Sequence, residues 1–143
     1  MPATAATLSP ALIALAGFAG WTLLLLVVIV NVRLFNSVAG AKRPLNQFSP
    51  YGDDLPGLGQ RATRAHLNCL ENLPIFAALV AAAGLSGHLQ IIDGTAMYLL
   101  YARLAQSVTH LISASLPMVL VRGLFFFVQV GLMLYYAYQL LSA

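Results

Sequence analysis

Long apolar segments with almost no charge dominate this chain and decide which solvent it can fold in. Residues 8–30 contain no charged side chain, and three further apolar segments follow. Only 8% of the 143 residues are charged, whereas a soluble domain usually carries about 25% charge. Because so few charges cannot cover a surface facing water, lipid must surround much of the protein.

Each of the four apolar segments can cross a bilayer, whose hydrocarbon core needs roughly 20 residues of helix. Four such helices occupy more than half of the chain, so no length remains for a separate soluble domain. The predicted fold class is therefore all-α, an integral membrane four-helix bundle with a single domain over residues 1–143. The helices are expected at about 8–33, 61–86, 91–113 and 117–142, with a loop at about 34–60.

The basic balance of the chain does not indicate nucleic-acid binding. The formal net charge is +3, but the few Lys and Arg residues form no basic stripe. The single cysteine, Cys69, excludes an internal disulfide and any metal site built from cysteines. We predict no nucleic-acid partner and no metal.

The positions of the basic residues predict how the chain crosses the membrane. Lys42 and Arg43 lie in the long first loop, whereas the turn near residues 86–90 and both tails have no Lys or Arg. Loops rich in Lys and Arg usually stay in the cytoplasm. We therefore expect a multi-pass protein with a cytoplasmic first loop and with both termini on the opposite side.

A polar stripe runs along the second apolar segment, where a charged side chain is costly and usually marks function. Arg64, Asn68 and Glu71 are spaced i, i+4 and i+7, so they lie on one helix face within about 60° of one another. Such a face could hold a zwitterionic ligand. Arg64 would bind a carboxylate, Glu71 an ammonium group, and Asn68 either of them.

The other segments each bring an arginine into the same half of the bundle. Arg103 and His110 share a stripe of the third segment, Arg122 lies near the start of the fourth, and Arg33 follows the first. Glu71 is the one carboxylate available among them, and uncompensated charge is expensive away from water. An anionic ligand or water must supply the remaining compensation.

Alternatives without a bound zwitterionic ligand remain open from these residues alone. The arginines could form structural ion pairs with Glu71 and hydrogen bonds between helices. A small transporter or channel subunit would also carry arginines inside the membrane, although the chain lacks an obvious inverted repeat. The aromatic run at residues 125–127 could line a groove for an apolar substrate or pack against lipid.

Residues 61–76 read RATRAHLNCLENLPIF, which closely resembles the signature of the MAPEG family (membrane-associated proteins in eicosanoid and glutathione metabolism). The string RAHLNCLEN is most similar to the microsomal glutathione transferase branch. The resemblance extends over the whole chain through the long first loop and the arginines of helices three and four. It implies a homotrimer of four-helix subunits that binds glutathione between neighbouring subunits, near the cytoplasmic face.

The resemblance also implies roles for individual residues. Arg122 matches the helix-four arginine that faces the glutathione sulfur, where a guanidinium group favours the nucleophilic thiolate. Eicosanoid-forming members carry tyrosines at the positions of His110 and Phe126, which argues against eicosanoid synthesis here and leaves the role of Arg122 unchanged. The residues predicted to bind glutathione are Arg33, Arg64, Asn68, Glu71, Arg103 and His110.

The predicted function is a membrane-bound glutathione S-transferase that could also act as a glutathione peroxidase. Glutathione would be the co-substrate, and a hydrophobic small-molecule electrophile would enter from the surrounding membrane lipids, as in detoxification. The alternative is a non-enzymatic lipid- or ligand-binding protein of the same family, against which the match at Arg122 argues. The Ala and Leu content suits a bacterial member, which would reside in the cell inner membrane.

Overall fold

The protein is a bundle of long helices in which no strand occurs among the residues described. The computed structural model describes residues 7–40, 42–55 and 57–143, so the first six residues of the N-terminal tail lie outside it. The all-α membrane bundle predicted from the sequence is confirmed. The elements are α1 (Pro10–Val38), a short 3-10 turn (Leu45–Gln47), α2 (Leu58–Ser86), α3 (Gln90–Asp93), α4 (Ala96–Ile112) and α5 (Leu116–Ser142).

Membrane-spanning length is clearest in three of the described helices. α1, α2 and α5 are long and apolar enough to cross a bilayer. α4 has 17 residues and is about 26 Å long at 1.5 Å per residue, slightly short of the hydrocarbon core. The four-residue α3 precedes α4 in the same apolar segment.

The first helix is longer than the sequence predicted. It was expected to end near residue 33 but continues to Val38. No proline or glycine interrupts this stretch before Gly40, whose backbone N–H bonds back to the Phe35 carbonyl at 3.0 Å. Arg33 therefore projects from a continuous helix and not from a loop.

The third apolar segment is divided, where one continuous helix was expected. The break falls at Gly94 and Thr95, between α3 and α4. The Thr95 hydroxyl forms a hydrogen bond of 2.7 Å with the Tyr136 hydroxyl of α5. Asp93 at the same corner accepts a hydrogen bond from the Ala11 backbone N–H at 2.9 Å and so fixes the start of α1.

Close packing of α1 on α2, and of α4 on α5, holds the bundle together. Ala11 and Ala14 on α1 have no exposed surface. Small side chains such as these let two membrane helices approach closely. Deeper in the bundle the rings of Phe18 and Phe76 stack with centroids 6.3 Å apart. One interior stripe of α1 thus meets α2 along most of its length.

The first loop is fastened against α2 at Gly52. This residue has a φ of +70°, and a Cβ atom there would lie 2.7 Å from the Cβ of Thr63. Gly57, just before α2, also has a positive φ of +61°, but a Cβ added there would meet nothing within 4 Å. The two glycines therefore share a positive φ and differ in their surroundings.

Replacing each of these glycines by alanine should separate backbone strain from close contact. Gly57→Ala should lower the free energy of unfolding by about 1–3 kcal/mol, the usual cost of a sparsely populated backbone conformation. Gly52→Ala should cost about 2–4 kcal/mol, because overpacking adds to the same strain. Thermal unfolding in detergent measures both, and faster tryptic cleavage after Lys42 should report release of the loop. Equal losses in the two variants would contradict the tight contact with α2.

Candidate functional site

The polar stripe of α2 carries exposed charges at both ends, and its central residue is half-buried. Arg64 and Glu71 are exposed on the outside of the subunit, and Asn68 between them is half-buried. The Asn68 Oδ1 accepts a hydrogen bond of 2.5 Å from Arg103 Nη1. Arg64 and Glu71 form no ion pair with any residue described, so both charges remain available to a ligand.

Arg103 lies inside the subunit and has no exposed surface. Its guanidinium carbon sits 4.8 Å from the centroid of the Phe18 ring, which provides a favourable face for a buried cation. Among the described residues, its Nε and Nη2 have no hydrogen-bond partner. Arg103, one of the residues predicted to bind glutathione, lies behind Asn68 in the interior of the bundle.

A buried polar layer continues from Arg103 towards α5. Gln129 Nε2 donates to Gln106 Oε1 at 2.9 Å and to the Phe125 carbonyl at 2.8 Å. On the other side of α4, the Cys69 thiol lies 3.8 Å from the Ser107 hydroxyl. These contacts connect α2, α4 and α5 in the interior of the bundle.

Arg122 and His110 form a pair at one end of the bundle. Arg122 Nη1 lies 3.1 Å from His110 Nδ1. Because arginine can only donate, this bond requires Nδ1 to accept, which leaves the imidazole proton on Nε2. Arg122 of α5 thus meets α4 at His110, as Arg103 of α4 meets α2 at Asn68, so each of these arginines joins two helices.

Arg61 also joins two helices, although in the sequence it is marked only as a charge at the edge of the first loop. Its Nε donates a hydrogen bond of 2.8 Å to the Leu111 carbonyl at the end of α4. The last carbonyls of a helix lack partners within the helix. Arg61 therefore caps α4. Its bond joins the start of α2, which carries Arg64, to the end of α4, which carries His110.

Arg33 contacts the first loop rather than the other predicted site residues. Its Nη2 donates to the Ser49 carbonyl at 2.9 Å, and its guanidinium carbon lies 6.0 Å from the centroid of the Phe48 ring. Arg43 approaches the same ring at 5.7 Å and forms an ion pair with Asp54. The first loop thus contacts Arg33 through the Phe48 ring and the Ser49 backbone carbonyl.

A small pocket of about 240 Å³ beside Arg33 is lined by the face of α2 that carries Thr63, His66 and Leu67. At 100° per residue, this face differs from the one that carries Arg64 and Glu71. The half-buried His66 also has a structural contact, since its Nδ1 lies 3.1 Å from the Thr22 carbonyl. Within one subunit, no contact described joins Arg33 to the other predicted site residues.

An apolar groove of about 400 Å³ opens between α2 and α5. Glu71 and Asn72 border it at one end, and Phe126 and Met133 belong to its apolar lining. Of the aromatic run at residues 125–127, Phe126 therefore lines a groove, while Phe127 is 71% exposed on the outer surface. The polar stripe and the apolar groove share Glu71, so one elongated ligand or two adjacent ligands could use both.

The described structure thus combines a charged face on α2, an Arg–His pair on α4 and α5, and an apolar groove next to them. Neither a curated protein nor a solved structure gives a significant match to the chain. The model of the MAPEG family matches residues 11–142. This match covers all five helices almost completely, including every predicted site residue. The chain belongs to the MAPEG family.

Proposed function

We propose that the protein is a glutathione S-transferase that joins the glutathione thiolate to hydrophobic electrophiles, with glutathione peroxidase activity as a second possible reaction of the same thiolate. One observation carries the proposal. Exposed charges of opposite sign lie on one face of α2, and an apolar groove begins at the second of them, Glu71. Such a site suits a charged, water-soluble co-substrate beside an apolar one.

The charges of glutathione complement those of the proposed site. The tripeptide carries two carboxylates and one ammonium group besides its thiol. Arg64 offers a planar guanidinium that can bind a carboxylate through two hydrogen bonds. Glu71 offers the opposite charge for the ammonium group, and neither residue is neutralised by an ion pair among the described residues. Binding would therefore supply the compensation that these charges lack.

Arg122 is the residue we assign to thiolate formation. A free thiol has a pKa of about 8.5, and a nearby guanidinium lowers this pKa because it stabilises the anion. The bond to His110 holds the Arg122 guanidinium in one orientation. The proton leaves to water, since arginine cannot accept it. The thiolate then attacks the electrophilic carbon, forming the carbon–sulfur bond while the leaving group departs or the double bond accepts the electron pair.

The groove between α2 and α5 is the proposed route and binding place of the electrophile. Its lining is almost entirely apolar, and it borders Glu71, so an apolar molecule there would lie beside bound glutathione. We also propose that the site lies near the cytoplasmic face, because Lys42 and Arg43 are in the first loop. In a bacterium this would be the cytoplasmic side of the inner membrane.

A homotrimer with shared sites explains the separate position of Arg33. The loop holds Arg33 against Phe48 and Ser49, with no described contact to Arg64, Arg103 or Arg122 of the same subunit. We propose that Arg33 completes the glutathione site of the neighbouring subunit. A ring of identical head-to-tail interfaces would then give three equivalent sites.

Co-expression of two inactive variants tests this arrangement. Arg33→Ala and Arg122→Leu should each lower activity, but mixed trimers should contain sites with one native residue from each chain. With random mixing, about a quarter of all sites would be intact, so about a quarter of wild-type activity should return. Native mass spectrometry of the same sample should show three chains. If activity stays at the level of the single variants although mixed trimers form, the site is not shared in this way.

Replacing Arg122 should separate glutathione binding from thiolate formation. Arg122→Leu should retain glutathione, because the α2 residues still hold its charged ends. The ultraviolet absorbance of the bound thiolate should disappear, and turnover at neutral pH should fall about tenfold or more. Part of the activity should return as pH rises, since the unassisted thiol then ionises. Arg122→Lys should retain part of the effect, because it keeps the charge without the planar group.

A wild-type protein that binds glutathione only as the thiol, and conjugates no electrophile, would overturn the enzyme proposal. The non-enzymatic member of the family would then take its place. Loss of glutathione binding together with activity in Arg122→Leu would instead assign Arg122 to binding.

Glu71→Gln should weaken recognition of the ammonium group while preserving the shape of the side chain. We expect the binding free energy of glutathione to fall by about 2 kcal/mol or more, as when one partner of a charge pair is removed. Isothermal titration with glutathione and with an analogue lacking the amine provides a matched pair of ligands. The analogue should bind the wild type weakly and lose little more in the variant. If both ligands lose affinity equally, Glu71 has a structural role instead.

A further inference from the structure

We infer, on the basis of the proposed function, that Arg103 is a positioning residue. It fixes the orientation of the Asn68 side-chain amide so that the Nδ2 amino group faces the ligand. Arg103 itself does not touch glutathione. It has no exposed surface in the subunit, whereas Arg64 and Glu71 on either side of Asn68 are exposed. A ligand at the α2 stripe meets Asn68 before it could reach Arg103.

The orientation of Asn68 follows from the chemistry of its partner. Arg103 Nη1 lies 2.5 Å from the Asn68 oxygen, and a guanidinium group can only donate hydrogen bonds. The side-chain oxygen must therefore face Arg103, and the Nδ2 amino group must face the other way. An isolated asparagine could present either group to a ligand, but this one is restricted to presenting donors.

The buried guanidinium is held where it can impose this restriction. The Phe18 ring lies 4.8 Å from its guanidinium carbon and covers one face of the planar group. Asn72 Nδ2 donates to the Asn68 backbone carbonyl at 2.9 Å, so it does not compete with Arg103 for the Asn68 side-chain oxygen. The side-chain amide of Asn68 is therefore oriented by Arg103.

A directional consequence for ligand recognition follows. Arg64 and the Asn68 amino group both donate, so together they form a pair of donors for a carboxylate, and the acceptor Glu71 lies three residues further along the same face. The carboxylate of the amino-acid end of glutathione would lie towards Arg64 and Asn68, and its ammonium group towards Glu71. The polarity of the bound zwitterion is thus set by a residue it does not contact.

Asn68→Asp tests the amino group without disturbing the buried pair. An aspartate keeps an oxygen for Arg103 and adds a charge complementary to the guanidinium, so its melting temperature should equal or exceed that of the wild type. The donor is lost, so glutathione affinity should fall about tenfold to hundredfold, the range for a hydrogen bond to a charged group. Asn68→Ala should lose a similar affinity and also melt at a lower temperature.

A double-variant cycle then separates positioning from direct contact. Arg103→Met keeps a similar length without the charge or the donors, and it should lower glutathione affinity because the Asn68 amide is free to rotate. In an Asn68→Ala background, the same change should alter affinity less than about twofold. Arg103→Lys, which can still donate to the Asn68 oxygen, should restore most of the affinity lost in Arg103→Met.

The outcomes distinguish this inference from the proposed function. If Arg103→Met weakens glutathione binding by the same factor with and without Asn68, or if Asn68→Asp binds glutathione as tightly as the wild type, the positioning role is wrong although the protein binds glutathione. If the wild type binds no glutathione, the proposed function and the directional recognition fail. The pairing of Arg103 with Asn68 is then judged from melting temperatures alone, and a lower value for Asn68→Asp than for Asn68→Ala would overturn it.

Discussion

A bilayer offers no hydrogen-bond partners, so each polar side chain in the interior of this bundle depends on another part of the protein. The arrangement of the helices follows from these internal bonds. Gln129 of α5 bonds Gln106 of α4, and Arg103 of α4 bonds Asn68 of α2. Apolar packing alone would let these helices rotate against one another, because lipid tails are as apolar as the side chains. The polar bonds fix the rotation and thereby decide which side chains reach the surface.

Arg64 and Glu71, the exposed charges of the α2 stripe, differ from the buried Arg103 in the partners that they have within the protein. Arg64 and Glu71 are exposed and have no ion-pair partner among the residues described, whereas Arg103 has both an amide partner and an aromatic face. Arg103 therefore joins α1, α2 and α4 through one hydrogen bond and one aromatic face, while its Nε and Nη2 have no partner among the described residues. Arg64 and Glu71 keep their charges at the surface.

The class of fold was predictable because it depends on short-range patterns. Apolar segments of spanning length indicated a helical membrane bundle, and helical spacing put Arg64, Asn68 and Glu71 on one face. The break in the third segment falls at Gly94, in a turn-forming Asp-Gly pair that the apolar residues around it obscured. The bond between Thr95 and Tyr136, which are 41 residues apart, has no such local signal. Likewise, spacing placed Arg103 on a polar face but could not reveal that Phe18 and Asn68 would enclose it.

The groove between α2 and α5 opens at the side of the subunit, among side chains such as Ile75 and Leu134 that are 52% and 66% exposed. A substrate that enters from this direction comes from the bilayer, in which it diffuses in two dimensions. Its supply depends on its mole fraction in the bilayer and not on its concentration in water. Adding lipid at constant substrate would therefore dilute it and slow the reaction, while a strongly partitioning compound would reach the groove even when almost none is dissolved. Saturation curves for such a protein have meaning only when the amount of membrane is stated.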